Sequence, residues 1–220
     1  MNSFSNDVDI LRYEPSLFGD LHFSSQILSS GSGGEISGTT FIAPDADFNA
    51  AKVMAGMVVY LQSADGVVDG AYEIVSVDST AQLTISVLRA DGQTEAIALT
   101  DGQDVNYRIC TYQPQSSEVF LQLTQHFELR PGVADGDYIA DDILDISVLR
   151  QVSVYGVIAI IYATLAGRAD NDEENFWAKN KYYKQLFEKA LQRCRVSIDI
   201  GGDGVSDSVR SGASVRLLRD

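Results

Sequence analysis

The chain has 220 residues, 45% hydrophobic and 21% charged, which excludes a disordered protein and allows one large domain or two small ones. A formal net charge of −15 excludes a protein that grips nucleic acid by neutralising phosphates, though not a wall that DNA slides past without sticking. The charge is uneven: residues 150–220 hold 11 of the 16 basic and 9 of the 31 acidic residues, a net of +2, so residues 1–149 carry −17 and the two parts suit different partners.

The N-terminus, MNSFSNDVDILRY, lacks the basic-then-apolar order of a signal peptide. DVDILRYEPSLF (7–18) places Val8, Ile10 and Leu11 on one side of a short helix that Pro15 limits. SSGSGGEISG (29–38) reads by composition as a flexible linker. Beyond it come four β-rich runs, GMVVYLQ (56–62), AYEIVSVD (71–78), AQLTISVLR (81–89) and DVNYRICTY (104–112). Asp-Gly pairs at 65, 69, 91 and 101 punctuate them, which predicts a small barrel or sandwich. In AYEIVSVD both alternating faces are partly apolar, as expected of a central strand.

After Pro114 the period becomes helical. SSEVFLQLTQHFELR (116–130) aligns Val119 or Phe120 with Leu123 and Phe127, and Pro131-Gly132 is expected to stop it. A polar loop, VADGDYIADD, leads to a second helix over 143–166. Its second half is apolar on every side, the pattern of a helix buried in a bundle or between subunits, although its many Val and Ile residues would also suit a strand. The apolar run at 152–166 falls short of the roughly 20 residues of a membrane span, so no membrane partner is expected. Gly156, Ala159 and Ala163 form a small-residue stripe that lets another helix approach. With Val152, Tyr155 and Tyr162 they are the candidate subunit-packing residues. DNDEEN caps a third helix, and Lys179, Lys181, Lys184, Lys189 and Arg193 complement its dipole. Phe176, Tyr183, Phe187, Leu191 and Cys194 share one stripe, with Trp177 beside it.

RVSIDIGGDGVSD (195–207) admits a calcium loop or a strand entering a glycine turn. Counted from Asp199, the third position is Gly201 and the twelfth is Arg210, where ligand oxygens belong, so the hairpin is the better reading and no metal site is expected. Catalysis has little support. His22 and His126 stand apart from Cys110 and Cys194, and neither cysteine has metal-type spacing or an expected disulfide partner. GSGG (31–34) lacks the lysine of a phosphate loop. No cofactor is expected. The tail SVRLLRD sets Val215, Leu217 and Leu218 among Arg216 and Arg219. A partner surface is their natural destination, with packing back onto the chain's own bundle as the alternative.

The expected fold class is α+β: a helical bundle core with an inserted small β-barrel or β-sandwich and a C-terminal hairpin and arm. The expected segments are an N-terminal helix and linker (1–34), a β-rich insert (35–112), the bundle (113–194) and the terminal strand, hairpin and arm (195–220). DILRYEPSLF, SGTTF, ISVLRQVSVYGVIAIIYATLAG and ENFWAKNKYYKQLFEKALQRCRVSIDIGGDGVSD resemble the head–tail connector proteins, the neck adaptors of tailed double-stranded-DNA bacteriophages. The resemblance covers about 7–41 and 114–208. It implies a non-enzymatic virion protein of the neck, assembled in the host cytoplasm. It also implies a ring, commonly of twelve copies, that docks beneath the portal protein, meets the tail or its terminator protein and passes DNA through its lumen. By the same resemblance the C-terminal residues 215–219 would touch the portal. A second function class, a virion accessory protein binding glycan or a host surface through the β-domain, stands beside it.

Overall fold

The computed structural model describes residues 3–129, 138–168 and 173–213. The chain is α+β and divides into two compact units, residues 6–112 and residues 1–5 with 113–220.

In the first unit, six antiparallel strands close a barrel: β1 (Ile27–Ser37), β2 (Thr40–Ile42), β3 (Val58–Gln62), β4 (Asp69–Val77), β5 (Gln82–Ser86) and β6 (Gly102–Cys110), in the order β1-β2-β5-β4-β3-β6 with β6 returning to β1. Closure leaves no sheet edge for another chain to pair with. Phe41, Phe48, Leu61, Ile74, Leu83 and Ile109 are fully buried at its centre. Each such side chain contributes roughly 1.5–3 kcal/mol by leaving water. Burial along β4 does not alternate, since the adjacent Glu73 and Ile74 are both buried, and a bulge between Ile74 and Ser76 shifts its register against β5.

Two expectations for the N-terminal region are corrected. The stretch 29–38 is no linker but most of β1, the longest strand of the barrel. A Cβ on Gly31 would lie 2.8 Å from the Tyr107 ring, and one on Gly34 only 2.6 Å from the Phe41 ring. The glycines let the backbone run against buried aromatics, and Gly33, at φ +72°, supplies the kink where the register with β6 slips. The segment boundary at 34 therefore falls inside a strand. The N-terminal helix α1 (Asp7–Leu11) also belongs to the barrel unit. Asn6 caps it in a reciprocal pair with Asp9. Val8, Ile10 and Leu11 are buried as the pattern requires. The segment after Pro15 is then tied to β6 and the residues that follow it: Tyr112, two residues past the strand, donates its hydroxyl to the Leu17 carbonyl (2.6 Å), and Arg108 of β6 donates to the carbonyls of Phe18 and Gly19.

The second unit contains α2 (Gln113–His126), α3 (Ser147–Ala166), α4 (Glu173–Arg193) and a strand pair, β7 (Arg195–Ile198) with β8 (Ser208–Ser211). α2 ends at His126, not at Pro131-Gly132. Glu128 adopts a left-handed φ of 60°, and the Leu129 amide bonds back to the Thr124 carbonyl (2.7 Å). Pro131-Gly132 lies outside the described residues, as does the first part of the DNDEEN cap. α3 is a helix despite its β-branched content. It begins at Ser147 rather than at 143, and at 20 residues, longer than the apolar run 152–166, it could by length and composition cross a membrane. Half of its most apolar window is nevertheless buried inside the chain. β7 is flanked on its other side by residues 142–144: the Leu144 amide donates to the Ser197 carbonyl and the Asp199 amide to the Asp142 carbonyl.

Candidate functional site

α3 and α4 pack along the aromatic stripe of α4. Tyr183 is buried, its ring stacked on Tyr162 (6.2 Å between centroids, 12° between planes), and Phe176 packs on Tyr162 one step away. A Cβ on Gly156 would stand 3.0 Å from Phe187 of α4 and 3.1 Å from Val119 of α2. The close approach that the small-residue stripe provides is thus made by helices of the same chain. Val152, Gly156, Ala159 and Tyr162 are buried within the unit, while Tyr155 and Ala163 are half-buried. Asn180 donates to the Ala159 carbonyl (2.8 Å), a further tie between the two helices. As subunit-packing candidates these residues are largely covered already. Any surface for another molecule has to come from side chains around them.

Such a surface lies at the end of the α3–α4 pair where α4 runs into β7. Val148, Gln151, Val152 and Tyr155 of α3 face Leu186, Lys189, Ala190 and Arg193 of α4, with Cys194 and Arg195 closing a groove of about 510 Å³. Lys189, Arg193 and Arg195 are exposed, and among the described residues none of them is drawn into an ion pair. None of the described residues that line the groove is acidic. An apolar floor with an uncompensated cationic rim suits a partner that is both apolar and anionic. Sequence reasoning assigned Lys189 and Arg193 to the helix dipole. Their four-residue spacing, which puts both on one face, was the signal for this rim.

Residues 195–207 run through a hairpin whose aspartates serve the loop. Asp199 accepts from the amides of Gly202 (2.7 Å) and Gly204 (2.7 Å), and Asp207 accepts from those of Ile200 and Gly201. The Gly204 amide above all holds the Asp199 carboxyl below the usual carboxylate range. Arg210, at the position where calcium would need a carboxylate, pairs with Glu128 (3.0 Å) and lies over the Tyr138 ring. Among the described residues no three His, Cys, Asp or Glu side chains are placed to hold one metal ion. A second depression of about 350 Å³ joins Asp141, Asp142 and Asp199 with Leu144 and Ile200.

The remaining chemistry-bearing side chains have structural places. His22 bonds the Gly19 carbonyl through Nδ1 (2.8 Å), and His126 bonds the Gly212 carbonyl through Nε2 (3.0 Å). Cys110 and Cys194 are free and buried, and burial pushes the Cys110 thiol up to about 12, far from a reactive thiolate. Gly212 is held tightly: its amide donates to the Cys194 carbonyl (2.9 Å), and a Cβ there would fall 1.7 Å from the Leu191 carbonyl oxygen. This anchor fixes where the tail leaves. The tail residues Val215, Arg216, Leu217, Leu218 and Arg219 lie outside the described residues.

No protein-family model matches the chain, and no curated protein and no solved structure matches it either.

Proposed function

We propose that this chain is a structural virion protein, a head–tail adaptor that forms a ring between the portal and the tail of a tailed bacteriophage and passes DNA through its lumen. The observation that carries the reading is the helical unit itself. It is assembled from residues 1–5 and 113–220, so the barrel stands as an insertion in a three-helix core that ends in a strand pair. A helical core carrying an inserted β-rich domain is what the resemblance to neck adaptors implies at that coarse level, although residues 7–34, expected with the core, lie in the barrel unit. Phe4, packed on Phe120 at 4.7 Å, and Ser5, bonded to the buried Ser153 (2.8 Å), tie the chain's start to this core across the inserted sequence. A net charge of −15 supports a channel wall to which DNA does not adhere. In this reading the anchored Gly212 delivers residues 215–219 to the portal.

Light scattering of the purified chain with and without its portal tests the proposal. A species of several copies bound to portal is the expected result. A chain that stays monomeric and unbound, yet binds glycans through the barrel, would replace this reading with that of a host-binding accessory protein.

A further inference from the structure

We propose that the cationic groove between α3 and α4 receives the β3–β4 turn of a second copy of this chain. The groove offers an apolar floor of Val152, Leu186 and Ala190 beneath Lys189, Arg193 and Arg195. Three cations without an ion pair among the described residues, set around an apolar floor, call for an anionic partner with an apolar tip. The barrel unit of the same chain is strongly anionic. Residues 6–112 hold 15 acidic side chains against four basic ones (Arg12, Lys52, Arg89 and Arg108), a net of −11.

Within the barrel, the β3–β4 turn matches the groove in shape and charge. Val67 is 62% exposed at its tip, between the exposed carboxylates of Asp65 and Asp69. The turn is already folded. Asp65 accepts from the Val67 amide (3.0 Å), Ser63 exchanges bonds with Val68 (2.8 and 2.9 Å), and Gly66 takes φ +72°. A preformed turn loses little conformational freedom on docking. Duplex DNA is the competing anionic partner, but it would meet a chain of net charge −15 through only three cations, and it has no apolar tip for the floor. Groove and turn are different surfaces of the chain, and repeated head to tail, the groove of one copy on the turn of the next, the contact is heterologous. Such contacts run on into closed rings or open chains. The inference rests on the proposed ring only for closure.

Full-length chains test it by sedimentation velocity over a wide concentration range. Two variants are compared with wild type: Lys189→Glu/Arg193→Glu in the groove, and Val67→Lys/Asp69→Lys at the turn, which leaves the Asp65 cap intact. Unchanged circular dichroism confirms that each variant folds. The wild type self-associates, each reversal weakens association at least about tenfold, and mixing the two variants yields a heterodimer that grows no further, because together they hold one intact groove and one intact turn. Wild type that stays monomeric at every concentration, or association indifferent to either reversal, overturns the proposal. So does a short DNA duplex that binds wild type and is lost on Lys189→Glu/Arg193→Glu. Open chains that respond to the reversals would keep this contact and sink the ring, whereas a portal-bound ring that ignores them would do the opposite.

Discussion

The two units treat their cations in opposite ways. In the barrel, Arg89 is buried against Glu73 (2.6 Å) and also donates to the Thr94 carbonyl, Arg108 holds the Phe18 and Gly19 carbonyls over the Tyr60 ring, and Arg12 reaches the Ala90 carbonyl. The arginines there organise loops, and apart from the exposed Lys52 the charge left outside is acidic. In the helical unit, α4 buries Tyr183 alone and leaves Lys181, Lys184, Lys189 and Arg193 exposed. One unit is closed on itself, with the barrel's edges paired and its three arginines bonded to its own groups. The other keeps a cationic, apolar-floored surface open. A closed body and an open one in the same chain are what an assembling protein needs, because only the open surface has unmet interactions to offer.

The largest effect expected from breaking this contrast is at the buried pair. Glu73→Ala leaves the Arg89 guanidinium buried without its carboxylate and should destabilise the barrel by about 3 kcal/mol in urea unfolding. An unfolding midpoint within error of wild type would show that the pair is dispensable. The next effect is one of pH. Asp7 is buried where it accepts from the Tyr112 amide (2.8 Å), and burial raises its carboxyl to about 6 from 3.8. The folded state therefore binds a proton more readily than the unfolded one. The ionised, buried carboxylate penalises the fold above pH 6, and stability rises as pH falls from about 7 towards 4, by up to about 3 kcal/mol. Asp7→Asn keeps an acceptor for the amide and should abolish this slope. A variant whose stability follows pH just as the wild type does would refute the assignment.

A smaller loss, about 1–3 kcal/mol, is expected for Gly34→Ala, whose Cβ would press on Phe41 in the barrel core. The same exchange in the open unit should do least. Gly156→Ala meets Phe187 and Val119 at 3.0 and 3.1 Å, but alanine gains up to about 1 kcal/mol of helix propensity. The melting temperature should barely move. A large drop would mean that the α2–α3–α4 contact is as unforgiving as the barrel interior.

Much of the fold was legible in the sequence because its signals are local. Val58–Gln62, Gln82–Ser86 and Gly102–Cys110 announce themselves by β-rich runs between Asp-Gly pairs, and α4 by its stripe and its charge order. β1 was not legible. Glycines that admit the rings of Tyr107 and Phe41 give the same composition as glycines in a flexible linker, and only the partner strand distinguishes them. The N-terminal boundary failed for a similar reason: bonds from Tyr112 to Leu17 and from Arg108 to Gly19 join residues about 90 apart. Barrel closure is likewise a property of pairing that no single strand carries. For the site, the residues of the small stripe were found but not their use, since the sequence cannot say whether the approaching helix belongs to the same chain. The groove appears only when Lys189 and Arg193 are set beside Val148 and Gln151 of another helix.

The central claim is that this chain builds a ring around a DNA passage. Electron micrographs of the purified protein mixed with its portal test it most directly. The account predicts closed rings with a central pore, stacked coaxially on the portal. Portal particles that remain bare, with the chain present only as single copies, would contradict it.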